Sequence, residues 1–307
     1  MDVSVSVIIV TYNGMKWIHK CLASCKAYDI IVVDNNSTDG TVRFIQENYP
    51  LVKLIQQTEN LGFGAANNIG ISYAINEGVD YVFLLNQDAY LQEDAIENLI
   101  AIHKKHPEYG ILSPLQFNGN GSSFDRNFSY FLAYDKNKQF YFDAVINNLG
   151  DIYEVPFVNA ASWLISRSTI KLIGGFDPIF FHYGEDDNYC QRVIYNKLKI
   201  GVVPSSVVWH DRIFNYDKPQ IFSKSYFIDK ERTYKMMLAN INTENGKLIS
   251  VYRNSIYKHI LIAVIKLKLN TILGFIKELK ILNKSYREAN VSKEININFK
   301  CNYINLE

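Results

Sequence analysis

At 307 residues, with 48% hydrophobic side chains and a formal charge of +1, the chain has the composition of a folded globular protein, large enough for one sizeable α/β domain or two small ones. Its charge is uneven: residues 1–246 hold 21 basic and 27 acidic side chains, whereas 247–287 hold nine basic and one acidic. A mildly acidic body argues against nucleic-acid binding and leaves a basic C-terminal segment to be explained.

Four cysteines, Cys21, Cys25, Cys190 and Cys301, form neither a zinc-type double pair nor an evident disulfide framework. No signal peptide precedes them, so a reducing cytoplasm is the expected setting. Cys21 and Cys25 lie four apart on a predicted helix, where core packing is favoured over half a metal site.

From the N-terminus, β-branched apolar runs alternate with helix-period stretches. Strands are predicted at 5–10, 30–33, 52–56 and 81–85, and helices near 15–25, 41–47, 64–76 and 93–104. This βαβα pattern implies a Rossmann-like, mostly parallel sheet flanked by helices. Ligands of such sheets bind at the carboxyl ends of the strands. Thr11-Tyr12-Asn13-Gly14, Asp34-Asn35-Asn36 and Asn86-Gln87-Asp88 occupy those ends and are rich in carboxylates and amides. Asp34 has the position and acceptor chemistry to contact a ribose or base, while Ser37-Thr38-Asp39-Gly40 reads as a turn capping the next helix. In the small-residue run Asn60–Gly70, approach to a phosphate and tight helix packing are equally supported.

Residues 117–153, rich in Gly, Asn and aromatics, predict strands and loops covering one side of the crevice. Helical periodicity returns at 167–173 and 186–197. Gly184-Glu185-Asp186-Asp187-Asn188 opens the second of these helices. Adjacent carboxylates raise one another's pKa while helix N–H donors lower them, so one of the three can be tuned as a general base. Val207-Val208-Trp209-His210 reads as a late strand ending in a metal ligand or an ordinary half-buried imidazole.

Taken in order, these motifs resemble the family 2 glycosyltransferases of the GT-A fold, especially rhamnosyl- and galactofuranosyl-transferase-like members. The resemblance covers roughly residues 3–212 and rests on the N-terminal Val-Ser-Val-Ile-Ile-Val-Thr-Tyr-Asn, Ile-Val-Val-Asp-Asn-Asn-Ser-Thr-Asp-Gly, Glu-Asn-Leu-Gly-Phe-Gly-Ala-Ala-Asn-Asn, Asn-Gln-Asp, Gly-Gly-Phe-Asp-Pro, Gly-Glu-Asp-Asp and Val-Trp-His.

It implies an inverting transfer from a UDP- or dTDP-sugar to a glycan or lipid-linked glycan, in bacterial surface polysaccharide synthesis. Thr11, Tyr12, Asn13 and Asp34 would meet the nucleoside, with Asn36, Asn60, Asn68, Asn86 and Gln87 around it. Asp88 and His210 would hold a divalent Mn2+ or Mg2+. Asp186 would be the base, with Glu185, Asp187 and a sugar-stacking Trp163 on the acceptor side. Two departures stand out: Asn86 replaces the first acid of the Asp-x-Asp metal motif, and Asn159-Ala160-Ala161 stands where relatives often carry Gly. Segment 211–224 is the expected closing loop.

The catalytic domain is expected over 1–240, with a nucleotide-binding half to about 115 and an acceptor-binding half beyond. A basic amphipathic helical region follows over 241–307. Within 250–287, Leu261, Ile265, Leu269, Ile272, Ile276 and Leu279 recur at helical spacing among lysines. The longest apolar run there, 260–265, is far short of the roughly 20 residues of a membrane span. Peripheral contact with the inner face of the cytoplasmic membrane, packing on the catalytic domain and a homodimer contact are all compatible with that pattern. A nucleotidyltransferase is disfavoured by the absence of a Gly-rich basic loop after the first strand, and a dehydrogenase by the absence of G-x-G-x-x-G there. An inactive carbohydrate-binding protein of the same fold is favoured only by Asn86.

Overall fold

The computed structural model describes residues 3–212 and 218–306. Its first third follows the predicted alternation: β1 (Val5–Thr11), α1 (Ile18–Ser24), β2 (Asp29–Asp34), α2 (Thr41–Asn48), β3 (Lys53–Gln56), α3 (Phe63–Asn76) and β4 (Tyr81–Asn86). These four strands pair in parallel in the order β3-β2-β1-β4. Both faces are covered: Ile8, Val33 and Leu84 point into one core, and Val7, Ile9 and Val32 into the other. Two-sided burial is why these strands read as unbroken apolar runs rather than as alternation.

The chain continues through β5 (Ala89–Leu91), α4 (Ala95–Lys105), β6 (Tyr109–Asn118), α5 (Arg126–Ser129), α6 (Lys138–Val145), β7 (Tyr153–Glu154), β8 (Ser162–Ser166), α7 (Arg167–Ile173), α8 (Glu185–Tyr195) and β9 (Lys199–His210). The sheet beyond β4 is mixed. β8 enters beside β4 from the carboxyl end, where Asn86 N donates to Ala161 O at 2.9 Å, and therefore runs antiparallel to both β4 and β6. β9 is parallel to β6 and antiparallel to β5.

Segment 117–153 departs from the strands and loops expected there, because it holds two short helices. Asp125 accepts from Phe128 N and Asn137 from Phe140 N, so side chains that read as loop residues are N-caps.

The small residues of α3 serve packing. A Cβ on Gly70 would lie 2.5 Å from Ile8 Cγ2, and one on Gly64 2.9 Å from Phe176 Cβ. All four cysteines are free, with Cys21, Cys25 and Cys190 buried, in keeping with a packing role.

Three helices close the chain: α9 (Lys224–Leu238), α10 (Asn245–Ile265) and α11 (Leu269–Asn298). The apolar stripe read from 261 to 279 is thus divided by a turn at 266–268. Leu238, Ile249, Ile256, Leu282 and Ala289 form a separate core that includes Phe180 of the preceding part. Glu278, buried there, accepts from Tyr234 at 2.5 Å and Tyr226 at 2.7 Å. Two further connections hold α11 against the sheet layers. Asp177 Oδ2 accepts from Ser292 and Asn296, and the segment after α11 returns to the first part, where Asn305 N donates to Ser72 Oγ and Ile304 enters the main core.

Candidate active site

Parallel pairing puts the ends of β1, β2 and β4 side by side: Thr11 is in register with Asp34, and Val10 with Asn86. From the other half of the sheet, antiparallel β5 and β9 set Ala89 opposite His210, which brings Asp88 against the histidine. Asp88 Oδ1 lies 3.3 Å from His210 Nε2. Burial raises the Asp88 pKa, but the hydrogen bond and charge of His210 outweigh it and hold the carboxyl below its ordinary value.

Around this pair opens a cleft of ≈ 600 Å³, walled by Tyr12, Asn60, Asn86, Gln87, Glu185 and Asp186 among others. Five of its lining residues carry buried polar atoms with no partner among the described residues: Trp17 Nε1, Asn86 Oδ1, both amide atoms of Asn159, Glu185 Oε2 and His210 Nδ1. Buried polar groups are ordinarily paired, so this concentration marks a place built for a polar ligand. A larger cavity, ≈ 1170 Å³, lies at the amino ends of β1 and β2, and none of its lining residues has such an atom.

The carboxylates enter on the first turn of α8. Tyr183 (φ 65°) and Gly184 (φ 99°) turn the chain into that helix, and a Cβ on Gly184 would lie 2.6 Å from Met236 Cγ, so α9 fixes its start. Burial followed by the charge of Asp186 pushes Glu185 up to about 7, and the same two causes push Asp187 up to about 7. Asp186 is raised by burial, tempered by the backbone donors of Asp187 and Ala160 and by the Arg212 charge.

Several expected contacts are placed differently. Trp163 has no exposed surface and packs against Phe176 and Tyr189 in the core, so it cannot stack on a sugar. Asn68 spends both ends of its amide on the backbone of Phe176, at 2.6 and 2.8 Å, and is a structural clasp rather than a nucleotide contact. Asn36 is exposed and off the cleft wall. Thr11 is buried and donates to Gln87 Oε1 at 2.7 Å. The same oxygen accepts from Tyr12 N, so these two residues hold Tyr12 at the mouth. Asn13 accepts from Thr38 N, and Asp39 accepts from Thr41, in keeping with a capping turn at 37–40. Asp34 Oδ2 accepts from Ser37 N, while its buried Oδ1 has no partner among the described residues. Asp187 is half-buried just outside the cleft wall. Arg212 and Asn159 are site residues that motif reading did not assign. Arg212 adds a cation beside Asp88 and Asp186 and lies 3.8 Å from Asp125. The closing loop expected at 211–224 falls partly on 213–217, outside the described residues.

A model of glycosyl transferase family 2 matches residues 6–172, more than half of the chain. The chain belongs to that family. This glycosyltransferase is similar to GlyA of Streptococcus pneumoniae, 23% identical over 82% of this chain and 37% of that one. It is also similar to the N-acetylglucosaminyl-diphospho-decaprenol L-rhamnosyltransferase of Mycobacterium tuberculosis, 26% identical over 67% of this chain and 75% of the relative. It thus spans little more than a third of the pneumococcal relative. Among solved structures it resembles GalNAc-T7, crystallised with UDP, GalNAc and Mn2+: TM-score 0.55, 17% identity, 77% of this chain and 50% of that one. Its fold is GT-A, with the three C-terminal helices appended.

Asp88 and His210 have the donor chemistry for a divalent ion and would be its two protein ligands in this cleft. No group of three His, Cys, Asp or Glu suited to a metal occurs among the described residues. Asn86, at the position of the first acid of the motif, offers a neutral carbonyl oxygen with no partner among the described residues. Mg2+ and similar hard ions keep several waters and take other ligands from substrate phosphate, so two protein ligands are compatible with a diphosphate-bearing donor.

Proposed function

We propose that the chain is an inverting glycosyltransferase moving a hexose-type sugar from a UDP- or dTDP-sugar to a glycan or lipid-linked glycan, for bacterial surface polysaccharide, on the cytoplasmic side of the membrane. One observation carries this reading: unpartnered buried polar atoms converge on the cleft that holds Asp88, His210 and the Asp186 carboxylate.

In this reading Tyr12, held by Gln87, and the free oxygen of Asp34 orient the nucleoside. Asn86, Asn159 and Arg212 supply neutral and cationic groups to the diphosphate and sugar. A Mn2+ or Mg2+ ion on Asp88 and His210 would offset charge on the leaving diphosphate. Asp186 takes the proton of the acceptor hydroxyl as its oxygen bonds to the anomeric carbon and the bond from that carbon to the diphosphate oxygen breaks. A single displacement of this kind inverts the anomeric centre.

The test is thermal stabilisation by a panel of nucleoside diphosphates and sugar nucleotides with and without Mn2+. The wild type should gain stability from one base in a Mn2+-dependent manner, Asp88→Ala should lose that gain, and Asp186→Asn should keep it while transfer falls on the order of 10³-fold. Asn86 favours a second reading, a binding protein with little turnover. Stabilisation without any metal-dependent hydrolysis of the sugar nucleotide would select it, and absence of stabilisation by every nucleotide would end the transferase reading.

A further inference from the structure

α10 and α11 form a hairpin whose inner faces are closed where Ile249, Ile256 and Ala263 pack with Leu282 and Ala289. Towards the turn that cover ends. Nine of the ten residues from 261 to 270 are exposed, and six of them are large and aliphatic: Leu261, Ile262, Val264, Ile265, Leu267 and Leu269. Leu267 sits at the turn in the left-handed region (φ 51°) and is 90% exposed. A contiguous aliphatic tip of this kind marks an interaction site rather than ordinary surface.

Along the two arms of the tip the charge is of one sign. No carboxylate side chain occurs between Glu244 and Glu278, whereas Lys258, Lys266, Lys268 and Lys277 do, with Lys266 and Lys268 bracketing Leu267. Glu278 itself is buried among tyrosines.

We propose that the α10–α11 tip is a membrane-docking surface: its aliphatic turn enters the headgroup and upper acyl region of an anionic bilayer, and the flanking lysines engage lipid phosphates. Charge complementarity selects this occupant. A second copy docked through the same patch in two-fold contact would set Lys266 and Lys268 against their own counterparts with no carboxylate between them. The contact is superficial, since no helix among the described residues is long and apolar enough to cross a membrane. The exposed apolar residues are densest at the turn, and Leu273 and Ile276 carry them on along α11. Phe222, ten residues beyond Arg212 of the cleft, packs on Phe275, less than two turns into α11 from the tip.

Docking does not depend on sugar transfer, and the experiment reads the two separately. The full chain is sedimented with vesicles of phosphatidylcholine and phosphatidylglycerol in equal parts, and with phosphatidylcholine alone. Wild type should sediment with the anionic vesicles and dissociate as salt rises. Ile265→Asp with Leu267→Asp, and separately Lys266→Ala with Lys268→Ala, should each lower partitioning roughly tenfold or more. Circular dichroism and metal-dependent hydrolysis of the sugar nucleotide should match wild type in both variants. Wild type left in the supernatant, or variants sedimenting like wild type, would overturn the proposal. So would a wild-type dimer that the aspartate pair turns into monomer without any vesicle binding, which would make the tip a self-interface.

Discussion

Glu185 and Asp187 stand on either side of the proposed base, each pushed up to about 7 by burial and by the Asp186 charge. In an unfolded chain such carboxyls ionise near pH 4. The folded protein therefore holds extra protons between about pH 4 and pH 7, and its stability falls as pH rises through that window. Glu185→Gln has no proton to release there. It should flatten this slope, adding on the order of 2 kcal/mol at pH 8 and little at pH 4, as read from urea unfolding at the two pH values. An unchanged slope would show that Glu185 ionises normally. The cleft positions of Asp88 and His210 are legible in the sequence because each ends an apolar strand, and Asp186 stands out because three carboxylates crowd one helical turn. The sugar-stacking role that the resemblance implies for Trp163 fails because its strand is covered on both faces. Arg212 escaped notice because one cation after a strand carries no pattern.

Among the elements, α3 shows how the same residues support two readings. Its amides and glycines suit a phosphate loop, but Asn68 bonds the backbone of Phe176, a partner 108 positions away that no local pattern reveals. Asn68→Ala would leave a buried N–H and a buried C=O of Phe176 unpaired, at a cost of about 2–4 kcal/mol. That loss should appear as a lower thermal midpoint, while nucleotide affinity at a temperature where the variant is folded stays unchanged. Weakened affinity with unaltered stability would restore Asn68 to the binding site. Parallel pairing in the first third was readable because a strand–helix–strand alternation returns each strand in the same direction. α5 and α6 were not, since their helical character rests on single capping side chains in an otherwise loop-like composition.

For the whole molecule, the C-terminal helices form a layer shared with the sheet-bearing part. Phe180 belongs to their core, and Asp177 is held by Ser292 and Asn296. Truncation after residue 240 would expose Leu238 and Phe180 and strand the Asp177 carboxylate. We expect the shortened chain to aggregate or to melt well below the full one, and a stable, nucleotide-binding 1–240 fragment would refute that. The position of Ile304 has a consequence for synthesis. It joins, beside Gly175, the core to which α3 and β1, elements made at the start of translation, also contribute, and its neighbours bond Ser72 and Gly175. These early elements therefore emerge from the ribosome long before the segment that Asn305 and Ile304 bring to them exists. They wait with apolar surface uncovered while more than two hundred further residues are made, an interval in which a chaperone has something to hold.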